Sequence, residues 1–151
     1  MSKRALCVGA LALATGLMAA SAGAGESMVK YTVSGNAIPQ SLTGKPGDPK
    51  KGKALVIARK KGNCLACHMM PIPEEADHGQ IGPALYGVAN RMTPAEMRLR
   101  IVDPKVINPN TAMPSFYKTK GLHRVLKKFQ GKPILTAQEV EDIVAYLSTL
   151  K

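Results

Sequence analysis

Cys64-Leu65-Ala66-Cys67-His68 places two thiols two residues apart with a histidine directly after the second, which is the spacing of c-type haem attachment. The chemistry explains the spacing. Two cysteines can form thioether bonds to the vinyl groups of one macrocycle, and the next residue then lies where its imidazole reaches the iron from one side. Such a centre takes its redox character from the protein around it. The same Cys-x-x-Cys pair also serves thioredoxin-like exchange or half of a zinc site. A zinc site would need further ligands, yet the only other cysteine is Cys7 and the only other histidines are His78 and His123. No βαβ context for thioredoxin-like chemistry surrounds the pair.

The chain has 151 residues and a net charge of +11. Residues 1–24 read as a secretory signal peptide: Lys3 and Arg4 form the charged start, Ala5 to Ala20 the apolar run, and Ala22-Gly23-Ala24 a small-residue cleavage site. The apolar run is shorter than the ~20 residues of a spanning helix and is interrupted by Gly9 and Gly16, so no membrane anchor is expected. Cys7 heads that run rather than closing it, which argues against lipidation there. With Cys7 removed, haem attachment would consume both remaining thiols. About 127 residues would remain, enough for one core, and aromatics are only 4% with no Trp, so a buried porphyrin could supply missing apolar surface. The basic balance fits an acidic protein partner or an anionic substrate. Nucleic acid is not expected, because export argues against it and the lysines are scattered.

Along the chain, residues 25–47 carry Tyr31, Val33, Ile38 and Leu42 among Pro39, Gly44, Pro46 and Gly47 without a helical period. They read as an extended N-terminal arm, either a loose chain end or a strap laid on a partner. The remaining 48–151 read as one domain. Asp48-Pro49 opens a helix expected to reach Lys61, with Ala54, Leu55 and Ala58 as its apolar face. Gly62 ends it. Residues 69–82 are loop, Thr93-Pro94 starts a second helix that stops before Asp103-Pro104, and Leu122 to Phe129 suggest a short amphipathic segment. Thr136-Ala137-Gln138-Glu139 forms a capping box ahead of Val140, Ile143, Val144 and Leu147, which predicts a last helix over Ala137 to Leu150. The fold class is all-α: short helices and loops wrapped around one covalently bound haem.

His68 leaves the other face of the iron open. Met69 and Met70 are too near it in sequence to cross a ring, and Met92 and Met97 lie in or beside a helix, where methionine usually fills core. Met113 sits 45 residues downstream in the proline-bracketed run Asn108-Pro109-Asn110-Thr111-Ala112-Met113-Pro114 and is the expected second ligand. His78 and His123 read as surface histidines. A metal-bound imidazole normally donates its other N–H to a fixed acceptor, and Pro83, within Ile81-Gly82-Pro83, is placed to offer a carbonyl to His68. Arg91, or Asn90 beside it, is the expected contact of a haem propionate.

Together, Gly-x-Cys-x-x-Cys-His, Gly-Pro-x-Leu-x-Gly, Asn-Pro-x-x-x-Met-Pro and the capped last helix resemble class I cytochromes c. The arm around Ala37-Ile38-Pro39, the run Met113-Pro114-Ser115-Phe116-Tyr117 and the run Gly131-Lys132-Pro133-Ile134-Leu135-Thr136-Ala137 narrow the likeness to the X subunits of the SoxAX cytochromes of sulfur oxidation. That resemblance implies one haem c and a periplasmic heterodimer with a SoxA-like cytochrome subunit. The A subunit would join thiosulfate oxidatively to a cysteine of a SoxYZ-like carrier. The X subunit would take the electrons and pass them to a downstream acceptor cytochrome. No catalytic residue and no activity of this chain alone are expected, since haem-bound thiols leave no nucleophile and a six-coordinate iron no open site. A freestanding periplasmic electron shuttle is the alternative, and a thiol or structural protein without haem is a third reading.

Overall fold

The computed structural model describes residues 28–151; the signal-peptide reading and the start of the arm lie outside them. Three helices carry the fold, α1 (Pro49–Ile57), α2 (Pro94–Val102) and α3 (Ala137–Leu147), with single 3-10 turns between them and no strand among the described residues. No helix there is long and apolar enough to cross a membrane.

Each helix starts where a side chain can replace the missing backbone acceptors of its first turn. Asp48 accepts from the amides of Lys50 and Lys51, and Pro49 fills the first helical position, where its lack of an N–H costs nothing. Thr93 with Glu96, and Thr136 with Glu139, form reciprocal capping boxes. The ends depart from expectation. Helix α1 stops at Ile57, four residues before Lys61, because Ala58 turns to an extended ψ of 110°. Helix α3 stops at Leu147, and the chain continues in a tighter turn to Leu150, whose carbonyl accepts from Ala89 N at 2.9 Å.

Helix α1 packs on α3 through a face other than the one its apolar residues suggest. Gly52 and Val56 are buried, while Ala54 is exposed. A Cβ at Gly52 would overlap the Asp142 carbonyl, so the two backbones touch there. Gly47 lies equally close to the Glu141 carbonyl, and Asp48 N donates to Asp142 Oδ1 at 2.8 Å. The stripe Val140, Ile143, Val144 and Leu147 of α3 is buried, joined by Tyr146 and by two carboxylates, Glu141 and Asp142.

From residue 28 onward the arm is part of this core. Ile38 and Leu42 are 1% and 5% exposed, Ile38 N donates to Ala95 O at 3.0 Å, and Val29 N donates to the Tyr117 hydroxyl at 2.8 Å. The apolar residues expected to contact a partner or to hang free are spent inside the chain's own domain. Between Leu122 and Phe129 only Lys127–Phe129 forms a 3-10 turn, and Leu126 is 66% exposed. Positive φ at Gly121 and Arg124 breaks the helical path that the apolar spacing suggests.

Candidate haem site

After α1 the chain reverses through Asn63, held at φ 49°, into the turn Cys64–Ala66. Cys67 N and His68 N both donate to Cys64 O, at 3.1 and 2.9 Å. One helical turn therefore brings residues 64, 67 and 68 to the same side, and all three line one cavity of about 680 Å³. Burial pushes the Cys64 thiol up to about 12, so the free thiol stays protonated at neutral pH.

A loop under this turn fixes the imidazole. Gly79 N donates to Leu65 O and Gly82 N to Cys67 O, each at 2.7 Å, and Leu85 N donates to Met69 O at 2.8 Å. His68 Nδ1 lies 2.7 Å from Pro83 O. A carbonyl only accepts, so Nδ1 carries the proton and Nε2 keeps the free lone pair that a metal needs. Gly82 faces the flat of the ring: a Cβ there would overlap His68 Cε1. The glycine leaves the ring no slack on that side.

Met113 lines the same cavity as His68. Its loop is tied internally, with Met113 N donating to Thr111 Oγ1 at 3.2 Å and Lys105 Nζ to Thr111 O at 2.7 Å. Met92 and Met97 also reach the cavity, Met97 from the buried face of α2. Arg91 stands elsewhere. It is absent from the lining, and its guanidinium donates to Tyr86 O at 2.6 Å and Ala84 O at 2.9 Å, bracing the loop after Pro83. The cations that do line the cavity are Arg59, Lys60, Lys61, Arg100 and Lys128. For the first three, proximity to Cys64 in sequence was the available signal; Arg100 could have been found as the helical neighbour of Met97 and Ile101.

The histidines differ from one another. His123 is exposed, as expected of a surface residue. His78 is half-buried rather than a free surface residue: Nδ1 accepts from Met70 N at 3.3 Å, and Nε2 is buried without a partner among the described residues. It holds the loop beneath His68 and does not line the cavity.

The cavity fits a haem c by its own chemistry. Two thiols and an imidazole with a defined tautomer open onto it from one turn, a thioether reaches it from another loop, and its walls include Leu85, Val88, Met97, Ile101, Phe116 and Leu147. Its volume is that of a site for a cofactor-sized group.

Residues 49–151 match the family model described as Cytochrome c, and the chain belongs to the cytochrome c family. Its fold is the class I cytochrome c fold, and it carries one covalent haem c, with Cys64 and Cys67 the candidate attachment residues. Among solved structures it is similar to a chain of SoxXA from P. pantotrophus, at 39% identity and a TM-score of 0.75, over 80% of this chain and 94% of that one. This supports the resemblance to the X subunit. Ferric cytochrome c-550 from Paracoccus versutus is more distant, at 23% identity and a TM-score of 0.39 over 69% of this chain and 98% of that one. An uncharacterized lipoprotein of Aquifex aeolicus (strain VF5) is 29% identical over 135 residues, 81% of this chain; the chain spans 55% of that protein's length.

Proposed function

We propose that the chain is the electron-accepting X subunit of a periplasmic SoxAX-type complex. The observation that carries this reading is the 39% identity to a chain of SoxXA over 94% of that chain and 80% of this one, a longer span than the family match over 49–151. In this reading residues 1–24 direct export, and a SoxA-like subunit couples thiosulfate to a cysteine on a SoxYZ-like carrier. That coupling releases two electrons. This chain takes them one at a time and hands them to an acceptor cytochrome, and it has no sulfur-transfer activity alone.

Cys64 and Cys67 would hold the haem by thioether bonds, and His68 Nε2 and the Met113 sulfur, which line the same cavity, would ligate its iron. The bound group supplies a one-electron couple, whose potential a His/Met ligand pair raises. Pro83 O keeps His68 in the tautomer that presents Nε2. The cations lining the cavity, Arg59, Lys60, Lys61, Arg100 and Lys128, would meet the haem propionates in place of Arg91.

Affinity purification of the tagged mature chain from its native periplasm tests the reading. A second haem-bearing chain recovered in equal amount is the expected result. A lone haem-loaded monomer would replace the subunit with the freestanding shuttle.

A further inference from the structure

The Met113 loop leaves α2 at Asp103 and returns at Ser115. Its ends meet at the backbone, where Phe116 N donates to Ile101 O at 3.1 Å and Tyr117 N to Val102 O at 3.3 Å. They meet a second time through one carboxylate. Asp103 Oδ1 accepts from Ser115 Oγ at 2.7 Å, and Oδ2 accepts from Lys118 Nζ at 2.6 Å. Asp103 and Ser115 are 5% and 6% exposed, and Asp103 does not line the cavity. A buried carboxylate spanning two charge-assisted or short hydrogen bonds is a strong tie, and losing it strands its partners.

We propose that Asp103 is a positioning residue that latches the Met113 loop shut through Ser115 and Lys118, and thereby governs how readily the Met113 sulfur leaves the iron. The inference rests on Met113 being the second ligand. Ser115 is two residues from that sulfur, so releasing it frees the loop at the end nearest the ligand. An added ligand can bind six-coordinate iron only after the loop opens locally, so its rate of entry reports that opening.

The experiment uses the oxidised, haem-loaded mature chain and measures the rate of imidazole binding. Asp103→Ala is expected to raise that rate about tenfold or more, and Ser115→Ala to raise it less in the same direction. Val56→Ala, which loosens the core under α1 away from this loop, leaves the rate within about twofold of the parent. Asp103→Asn keeps the shape of the side chain and decides the matter together with Ser115→Ala if the alanine variant fails to fold. Rates within about twofold of the parent in all the loop variants overturn the latch. The near-infrared band of methionine-bound ferric haem separates the two ideas. If it is missing in the parent or survives Met113→Ala, both fall; if it vanishes in Met113→Ala while the loop variants bind imidazole at the parent rate, only the latch falls.

Discussion

The Arg98 guanidinium grips the Glu141 carboxylate at two points, Nε to Oε1 at 2.8 Å and Nη2 to Oε2 at 2.9 Å, and joins α2 to α3 inside the core. The same pair receives the arm: Nη1 donates to Ile38 O at 2.7 Å, and Oε1 accepts from Leu42 N at 2.8 Å. Removing one partner leaves the other charge buried without compensation. Glu141→Gln is therefore expected to cost about 3 kcal/mol in denaturant unfolding of the haem-loaded protein. Replacing both residues by Met and Leu costs less than either single change, because no orphan charge remains.

Gly52 offers a sharper steric test. With its Cα against the Asp142 carbonyl, Gly52→Ala forces α1 away from α3. We expect a loss of about 3 kcal/mol, at the upper end of overpacking costs. Gly44→Ala, at a turn with open space around it but φ +66°, should cost about 1 kcal/mol through backbone strain alone. Equal midpoints for the two variants would contradict the close helix contact.

Ligation can be read spectroscopically. Met113→Ala should abolish the near-infrared band of the oxidised protein, whereas His78→Leu and His123→Gln should retain it. His78→Leu should instead lower the thermal midpoint, since it removes the acceptor for Met70 N.

Acid stability should show the Asp103 carboxylate. Burial alone would raise its pKa, but hydrogen bonds from Lys118 and Ser115 outweigh that and hold it below the ordinary 3.8. The folded state thus favours the ionised form. The stabilisation is complete well above 3.8 and is lost as pH falls through the folded value. Denaturant midpoints followed from pH 6 downward should fall less steeply at the acid end in Asp103→Asn than in the parent. On the alkaline side burial, aided by Asp103, raises the Tyr31 hydroxyl above 10.0, so stability should decline above pH 10 and decline less in Tyr31→Phe.

The parts of this fold legible in the sequence are those decided by neighbours in the chain. Haem attachment is written in five consecutive residues because thioether chemistry dictates their spacing. The helix starts at Asp48, Thr93 and Thr136 are legible because a cap acts within three residues. Contacts made across the chain were not. The α1 face was misread because its closest contact is made by Gly52, which no hydrophobic pattern registers. Arg98 and Glu141 look like surface charges until the fold pairs them. The half-burial of His78 depends on how residues 69–82 fold under the haem turn, and Arg91 is drawn away from the cavity by carbonyls of the loop it braces. The arm's partners, Ala95, Tyr117 and Glu141, are all far downstream.

That last distance bears on how the molecule is made. Leu42 finds its acceptor on Glu141, 99 positions later, so this early-synthesised segment cannot dock until almost the entire polypeptide has been delivered. Contacts of such long range are slow to form. Until α3 is in place the buried surfaces of Ile38 and Leu42 stay open, and the chain is exposed to aggregation in that interval. The family match begins at residue 49, yet the packed domain reaches back at least to Val29, and a truncation at Pro49 would strip the buried side chains of Ile38 and Leu42 from the core.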